Sequence, residues 1–497
     1  MSKAKLIIDV KNAISDVDPR LYGSFVEHLG RAVYGGVYQP GHPSADEDGF
    51  RRDVLELVRE LDVPVIRYPG GNFVSGYNWE DGVGPKSERP VRLDLAWASK
   101  ESNQVGLSEF QDWLDKAGSE MMYAINLGTR GVDEARNIIE YANHPGGTYL
   151  SDLRKKHGRD KPYNIKLWCL GNEMDGPWQI GAKTATEYGR LAVECAKVMK
   201  MFDPGIELVA CGSSFLGMPT FGEWEREVLE HTYEQIEYLS LHSYFNNIKN
   251  DTASFLTKNI DMDDFIKTVA GICDEVKARK GSKKDVMLSF DEWNVWYHSQ
   301  ENDKNAPRWS DDPPGLIEDI YNFEDALLVG GFLITLLKNA DRVKIACLAQ
   351  LVNVIAPIMT DPAGGAWKQT IFYPFMHASK YGRGTAIKAE ILCPKIDCAE
   401  RDGVDSIDSV AVWNGEQKET TLFILNRSLE LDVDTEIVVS GAKELKEHIQ
   451  FAGFELKAEN SLGNEKVCPA SVNCGIMNGE SIEIKIPKAS WNVLRFR

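Results

Sequence analysis

Short apolar runs recur along the first three quarters of the chain, and segments with a helical pattern separate them. The runs are rich in β-branched and aromatic residues, a composition typical of strands. Strands are predicted at residues 21–26, 63–68, 120–126, 165–170, 206–210, 238–242, 286–290 and 344–349. Between the first two, apolar residues follow the spacing of an amphipathic helix, at Phe50, Val54, Leu55, Leu57, Val58 and Leu61. This alternation predicts an α/β fold.

The α/β region is predicted to close into a (β/α)8 TIM barrel over residues 14–384. Its strand runs are almost continuously apolar, as in parallel strands that are covered by helices. No glycine-rich dinucleotide or phosphate loop follows the first strand. The main reason to expect an open, doubly wound sheet is therefore missing.

After about residue 385 the pattern changes to short strands in which apolar and polar residues alternate. The turn Asn414-Gly415 separates two such runs, and Ile482, Ile484 and Ile486 alternate with polar neighbours. This pattern predicts an all-β, jelly-roll-like sandwich over residues 385–497. Residues 1–13 are expected to join it, because the first segment also alternates weakly.

Charge and composition narrow the classes of partner. The 497 residues carry a formal charge of -19 from dispersed acidic side chains, without a polybasic block. This argues against nucleic-acid and anionic-membrane partners and favours a neutral substrate. The most apolar window, residues 326–337, contains Gly330 and Gly331 and is shorter than the ~20 residues of a bilayer span. It predicts a buried helix.

Cysteine usage and the N-terminal sequence indicate a reducing compartment. The 9 cysteines are scattered, with no C-x-x-C pair. Neither a disulfide framework nor a structural zinc site is therefore expected. The first residues lack the long apolar stretch of a signal peptide. We expect a cytoplasmic protein.

Polar side chains end most of the predicted barrel strands. In such barrels the active site forms at the C-terminal ends of the strands, where these side chains would meet. The polar strand ends are Glu27-His28, Arg67 to Asn72, Asn172-Glu173, His242 to Tyr244, Asp291 to Asn294, and Gln350. One polar strand end would be ordinary, but several that converge on one mouth indicate a functional site.

Glu173 and Glu292 form the most informative pair, because each directly follows an apolar run. Two facing carboxyl groups can divide the roles of acid and nucleophile, as the cleavage of a glycosidic bond requires. A single glutamate at a strand end is about as often a partner in an ion pair. For the two together, catalysis is the favoured interpretation.

Arg67 and His242 are interpreted as supports for this pair. Arg67 ends a strand, where a cation can orient carboxylates, although a lone arginine is more often a rim charge. His242 together with Glu27 and His28 could suggest a metal site, but no ligand spacing such as H-x-H or H-E-x-x-H occurs. We expect no metal, no cofactor and a hydrogen-bonding role for His242.

Tryptophans in the strand-end loops are candidates for sugar contacts, because an indole face matches the apolar face of a sugar ring. A tryptophan is more often part of the core than a binding platform. Trp97 and Trp178 are the preferred candidates, since both lie in glycine-rich or charged loops rather than in periodic segments.

Four of these motifs resemble those of the intracellular family-51 glycoside hydrolases, which are α-L-arabinofuranosidases. The motifs are Tyr22 to His28, Arg67 to Asn72, Trp168 to Trp178 and Ser289 to Trp296. The likeness extends over the barrel, including residues 143–147 and 349–353, and fades within the C-terminal region. An Asn-Glu pair after the fourth strand and a glutamate after the seventh are also a feature of the wider clan of retaining barrels.

The resemblance implies a role for each residue of the site. Glu173 would be the acid/base, Glu292 the nucleophile, and Asn172 the donor to the sugar 2-hydroxyl. Arg67 would hold carboxylate charge, and the furanose pocket would be lined by Glu27, Asn72, His242, Tyr244 and Gln350. The implied reaction is the exo-acting, retaining release of arabinofuranose from arabinan or arabinoxylan oligosaccharides. Family members need no metal, act in the cytosol and are commonly homo-hexamers or other homo-oligomers.

Three alternatives stay open at the level of sequence. The same machinery serves β-xylosidases and endo-glucanases, whose specificity resides in loops. A metal-dependent lyase or aldolase could use Glu27, His28, His242 and Glu292 as ligands. A sugar-binding protein on an inactive barrel is disfavoured, because binding alone has no use for two opposed carboxyl groups.

Overall fold

A computed structural model of the chain describes residues 2–497. Met1, the first residue of the predicted segment 1–13, lies outside the described residues. The strands, in chain order, are β1 (Ser2–Asp16), β2 (Gly23–Phe25), β3 (Val65–Tyr68), β4 (Arg92–Asp94), β5 (Ser99–Glu101), β6 (Glu120–Ile125), β7 (Leu167–Leu170), β8 (Glu207–Ala210), β9 (Tyr238–Phe245), β10 (Met287–Val295), β11 (Val343–Leu348), β12 (Ile358–Thr360), β13 (Ala366–Lys368), β14 (Thr385–Leu392), β15 (Lys395–Ile396), β16 (Val404–Asp405), β17 (Ile407–Asn414), β18 (Glu419–Asn426), β19 (Val433–Val439), β20 (Leu445–Phe451), β21 (Ala470–Val472), β22 (Ser481–Ile486) and β23 (Ser490–Phe496).

Helices fill most of the connections between the barrel strands. They are α1 (Arg52–Leu61), α2 (Leu107–Ala117), α3 (Val132–Asn143), α4 (Tyr149–Lys156), α5 (Ala185–Phe202), α6 (Glu223–Thr232), α7 (Thr252–Phe255), α8 (Lys258–Lys280), α9 (Gln300–Asp303), α10 (Phe323–Lys338) and α11 (Phe372–Tyr381). The stripe that predicted the first helix is real, since α1 buries Val54, Leu55, Val58 and Leu61. These side chains belong to the same hydrophobic core as the barrel strands.

Eight parallel strands close into a barrel in the order β10, β11, β2, β3, β6, β7, β8 and β9. The predicted barrel is therefore confirmed, and each of the eight apolar runs contributes one strand. β9 and β10 continue to Phe245 and Val295, past their predicted ends at residues 242 and 290. Glu292 consequently lies within a strand, since polar residues at the barrel mouth keep the extended conformation.

The C-terminal region forms a nine-stranded sheet in the order β21, β20, β23, β18, β17, β14, β1, β19 and β22. A separate C-terminal β domain is thus confirmed. Successive side chains along its strands point to opposite faces of the sheet, as the alternation in the sequence requires. In β18, Leu422 and Ile424 point into the core of the sheet domain, whereas Phe423 and Leu425 pack with the core of the barrel.

Helix α10 is the main contact between the barrel and the sheet domain. It is the buried helix predicted from the apolar window. A methyl group at Gly330 would lie 2.6 Å from the Trp491 ring, and one at Gly331 would lie 3.2 Å from Leu425. The glycines therefore allow the helix to approach the sheet closely. Within residues 2–497, no helix combines the length and apolarity that a membrane crossing would need.

Candidate active site

A cavity of about 550 Å³ opens at the C-terminal ends of the barrel strands. Most of the site residues predicted from the sequence line it, namely Glu27, Asn72, Trp97, Glu173, Trp178, Tyr244, Glu292 and Gln350. Arg67, Asn172 and His242 are almost fully buried and are not among the lining residues. Arg67 and His242 contact the lining carboxyl groups of Glu292 and Glu173, and Asn172 Nδ2 lies 3.5 Å from the lining residue Asn72.

Glu173 and Glu292 approach each other across the mouth of the barrel. A carboxylate oxygen of one lies within 4.8 Å of a carboxylate oxygen of the other. Glu292 is part of β10, whereas Glu173 follows β7 in a sharp turn. In this turn Gly171 has a φ of 89° and Glu173 a φ of 44°. A positive φ is unfavourable for a glutamate, so the surrounding contacts must hold this turn.

The Glu292 carboxylate is bound at both oxygens. Arg67 Nη1 donates to Oε1 at 2.7 Å, and the Tyr244 hydroxyl donates to Oε2 at 2.8 Å. Arg67 comes from β3 and also lies 3.5 Å from the carboxylate of Asp291. A guanidinium that contacts two buried carboxylates offsets much of the cost of burying them. The carboxylate of Glu292 is thereby held in one orientation.

The Glu173 carboxylate has a different set of partners. Trp178 Nε1 donates to Oε2 at 2.7 Å, and His242 Nδ1 lies 3.0 Å from Oε1. The other ring nitrogen of His242 lies 3.1 Å from Asp291. Burial disfavours a charged imidazole, but Glu292, Asp291 and Glu173 outweigh it and raise the pKa of His242 to about 10. The raised pKa favours a charged imidazole, which lies between the carboxyl groups of Glu173 and Asp291.

Asn172 is oriented by the same arginine. Arg67 Nη2 donates to Asn172 Oδ1 at 2.6 Å. Because the guanidinium can only donate, the amide atom that it contacts must be the oxygen, and the amide nitrogen of Asn172 is free to donate elsewhere. Asn172 Nδ2 lies 3.5 Å from Oδ1 of Asn72, which lines the cavity. The donor of Asn172 is thus directed to the side of the cavity where a ligand would lie.

Glu27 forms a second acidic position in the cavity. Its Oε1 accepts hydrogen bonds from the Phe73 amide and from Trp97 Nε1, both at 2.9 Å, and Gln350 Nε2 lies 3.3 Å from Oε2. Burial raises the pKa of Glu27 to about 8, although these two donors act in the opposite direction. A methyl group at Gly71 would lie 2.5 Å from Oε2, so the turn after β3 needs a glycine there.

The wall of the cavity next to Trp178 is largely apolar. Trp178 is 48% exposed, and its ring lies 6.3 Å from that of Phe215, measured between centroids. Phe215 and Leu216 line the cavity in the loop after β8 and were not predicted from the sequence. Two apolar residues outside any periodic segment, next to a strand end, are the signal that could have identified them. The sequence also assigns no role to Asp291, although this residue contacts both Arg67 and His242.

The residues that the lyase alternative uses as metal ligands do not form one cluster. They are Glu27, His28, His242 and Glu292. His28 directs Nδ1 to Glu101 at 2.8 Å and Nε2 to the Tyr68 hydroxyl at 2.7 Å. Among the residues that the structure describes, Glu173, His242 and Glu292 are the acidic and histidine side chains close enough to share an ion. Both nitrogens of His242 already contact carboxylates.

Comparison with protein families gives two matches that together cover most of the chain. Residues 57–255 match the α-L-arabinofuranosidase 1 domain, and residues 291–490 match the α-L-arabinofuranosidase C-terminal domain.

Similar proteins extend this likeness to the full length. The intracellular exo-α-(1→5)-L-arabinofuranosidase 1 of Bacillus subtilis is 56% identical, over 100% of this chain and 99% of the relative. The corresponding protein of Acetivibrio thermocellus is 57% identical, over 100% and 99%. The solved structure of AbfB, a family 51 α-L-arabinofuranosidase from Bifidobacterium longum, has a TM-score of 0.96 at 43% identity, with 100% of both chains covered. An arabinose complex of the Thermotoga maritima α-L-arabinofuranosidase has a TM-score of 0.87 at 32% identity, covering 99% of each chain.

Proposed function

Because this chain belongs to the family-51 α-L-arabinofuranosidases, we propose that it releases terminal arabinofuranose from arabinan or arabinoxylan oligosaccharides. It is a glycoside hydrolase. Support for the exo mode comes from similar proteins of Bacillus subtilis and Acetivibrio thermocellus, both named exo-acting arabinofuranosidases. A pocket-shaped cavity whose polar groups surround one region, next to Glu173 and Glu292, suits a single terminal sugar.

The proposed mechanism rests on the distance between the carboxyl groups of Glu173 and Glu292. Retaining glycosidases place these groups about 5–5.5 Å apart, whereas inverting enzymes leave about 6.5–9.5 Å for a water molecule. Oxygens of Glu173 and Glu292 lie within 4.8 Å of one another. This distance supports double displacement with retention of the anomeric configuration.

In the first step, an oxygen of Glu292 attacks the anomeric carbon while Glu173 protonates the glycosidic oxygen of the leaving group. Arg67 and Tyr244 hold the attacking carboxylate in position. In the second step, Glu173 takes a proton from water, and that water displaces Glu292 from the anomeric carbon. His242 Nδ1 lies 3.0 Å from Oε1 of Glu173 and stabilises the carboxylate that remains after the proton has been donated.

The remaining polar residues suit recognition of the furanose hydroxyls. Asn172 presents its amide nitrogen as a donor, and Asn72, Gln350 and Glu27 lie around the same part of the cavity. A hydrogen bond from Asn172 to the 2-hydroxyl would strengthen as positive charge develops on the sugar ring. The polar groups therefore serve both binding and transition-state stabilisation.

We also propose a cellular location and an assembly state. We infer a cytoplasmic enzyme that acts on short oligosaccharides, in keeping with the word intracellular in the names of its relatives. A homo-oligomer, of which a hexamer is the form suggested by the family resemblance, is proposed as its assembly. Light scattering of the purified protein measures the number of subunits directly.

Product analysis by NMR tests the proposed reaction. With an arabino-oligosaccharide, the first arabinose released should have the α configuration, and the β anomer should appear only as the product mutarotates. Initial release of the β anomer would exclude double displacement. Release of xylose or internal glucan fragments instead of arabinose, in a panel of aryl glycosides and oligosaccharides, would favour the β-xylosidase or endo-glucanase alternative.

Chelation tests the remaining alternative from another chemical class. We expect dialysis against EDTA to leave kcat unchanged, because the proposed steps use only carboxyl groups, protons and hydrogen bonds. Loss of activity on chelation, with recovery on addition of a divalent ion, would instead support the lyase or aldolase hypothesis.

A further inference from the structure

A buried glutamate joins the sheet domain to the loops of the catalytic cavity. Glu324, at the start of α10, is 0% exposed, and its carboxylate contacts Lys457 Nζ. Lys457 belongs to the loop between β20 and β21, and its side chain is 48% exposed. A cation from the sheet domain therefore reaches a carboxylate buried in the barrel domain.

The contact with Lys457 is part of a wider junction. The Glu324 amide donates to the carbonyl oxygen of Leu456 at 3.0 Å. The Phe323 ring meets the rings of Phe451 and Phe454, with centroids 4.8 Å and 5.3 Å apart. The loop of the sheet domain is thus anchored to α10 by main-chain, apolar and ionic contacts, so Lys457 does not reach Glu324 by chance.

On its other side, Glu324 binds the loops that follow β9 and β10. Its carboxylate accepts hydrogen bonds from Asn247 Nδ2 at 2.9 Å, from the Thr252 hydroxyl at 2.5 Å and from the Tyr297 hydroxyl at 3.3 Å. Asn247 and Thr252 follow β9, whereas Tyr297 follows β10. One carboxylate therefore ties together two neighbouring strand-end loops.

Residues of the active site lie in or next to these two loops. Tyr244, three residues before Asn247, donates to the Glu292 carboxylate at 2.8 Å. Trp296, adjacent to Tyr297, lines the cavity, and its ring meets that of Tyr244 edge-on at 5.5 Å. A shift of either loop would alter the contact of Tyr244 with the nucleophile.

We propose that Lys457 is a positioning residue of the active site, which acts through Glu324 on the loop that follows Tyr244 and on the loop that contains Trp296. A buried carboxylate that loses its cationic partner is costly, and the structure relaxes to rehydrate it. Here such relaxation moves the two loops. The sheet domain therefore takes part in setting the catalytic geometry. The inference rests on the proposed function, because it assigns Glu292 the role of nucleophile.

Replacement of the lysine by an uncharged side chain of similar length tests the proposal. Lys457→Met should lower kcat/KM for an aryl α-L-arabinofuranoside about tenfold, mainly in kcat, because Tyr244 contacts the nucleophile. Lys457→Arg should restore most of the activity, since a guanidinium can also bind Glu324. The double variant Lys457→Met/Glu324→Gln should lose no more activity than Glu324→Gln alone, because both changes break the same link.

Lys338→Met is the matched control. Lys338 lies at the opposite end of α10 and makes an ion pair with Asp408 of the sheet domain. This pair lies away from the cavity, so its loss should lower the thermal midpoint and leave kcat/KM unchanged. Equal losses of kcat/KM in Lys338→Met and Lys457→Met would overturn the proposal, because the effect would then be one of general domain packing.

The outcomes separate the two proposals. An inactive wild-type enzyme on the aryl arabinofuranoside would contradict the proposed function itself. An active wild type with unchanged kcat/KM in Lys457→Met, or additive losses in the double variant, would contradict only the role of Lys457. If Lys457→Met does not fold, Glu324→Gln provides the same test, since it weakens the contacts to both loops while it leaves no unpaired buried charge.

Discussion

The two sides of the catalytic cavity differ in how firmly the protein holds them. On the side of Glu292, Arg67 and Tyr244 bind both carboxylate oxygens, and Arg67 is only 1% exposed. On the side of Glu173, Trp178 is 48% exposed and Phe215 is 41% exposed. One side is a closed polar network, and the other is an open apolar wall.

This difference indicates where specificity resides. A site that hydrogen-bonds hydroxyl groups discriminates strongly, because a wrong ligand leaves buried polar groups without partners. An apolar wall discriminates weakly, since it offers area rather than directed bonds. We therefore expect strict selection of the terminal arabinofuranose beside Glu292 and broad acceptance of leaving groups beside Glu173.

The largest effect is expected from removal of Glu292, the proposed nucleophile. Glu292→Ala should lower kcat by about 10⁵-fold, because no other group in the closed network can take over the attack. Azide can occupy the vacated space and displace the leaving group once. NMR should then detect an arabinosyl azide with the anomeric configuration opposite to that of the substrate.

Removal of Glu173, the proposed acid/base, should have a smaller effect that depends on the substrate. Glu173→Ala should lower kcat by about 10³-fold for an oligosaccharide, whose leaving oxygen needs a proton. An aryl substrate with a good leaving group should still form the glycosyl-enzyme, which azide then attacks to give a product of retained configuration. If the two variants gave the opposite azides, the roles of Glu173 and Glu292 would be exchanged.

Asn172 tests whether the polar side acts in the transition state. Asn172→Ala should lower kcat by about 10²-fold with little change in KM, because the bond to the 2-hydroxyl strengthens as the reaction proceeds. Steady-state kinetics with an aryl arabinofuranoside separates the two parameters. A change confined to KM would mean that Asn172 only holds the substrate in the ground state.

Glu27 should make the polar side sensitive to alkaline pH. Its pKa is raised to about 8, so it is protonated below that value and becomes a second anion near Glu292 above it. We expect kcat/KM to fall as the pH rises through about 8, by about tenfold at one unit above the pKa. Glu27→Gln, which stays neutral, should lack this fall. A fall that persists in the variant would belong to another group.

The barrel and its polar mouth could be predicted because their signals are local. Each apolar run marks a strand, and the polar residues that end it mark the mouth, as Asn172 and Glu173 do after β7. The same reasoning predicts the pair of Glu173 and Glu292, whose oxygens lie within 4.8 Å of one another. It also identified α10, whose apolar window is too short for a membrane span.

Contacts across the barrel could not be predicted in this way. Arg67 and Glu292 are 225 positions apart in the chain and meet only when the barrel closes. The sequence assigns no role to Asp291, because its partners Arg67 and His242 come from other strands. The apolar pattern ends the predicted strand at residue 290, because the last residues of β10 include buried polar ones. Phe215 is marked in the sequence only by its apolar character next to a strand end, and its contact with Trp178 depends on the closed barrel.

The apolar wall should give the smallest effect, and one that depends on the leaving group. Phe215→Ala should lower kcat/KM about threefold to tenfold for arabino-oligosaccharides, since burial of part of one aromatic ring against the leaving sugar contributes about 1 kcal/mol. Arabinosyl fluoride, whose leaving group is too small to reach the ring, should react at an unchanged rate. Met201→Ala, an exposed apolar residue on α5 that does not line the cavity, is the matched control and should affect neither substrate. An equal loss with both substrates would mean that Phe215 supports Glu173 through Trp178, and the division of the cavity into a selective and a permissive side would then fail.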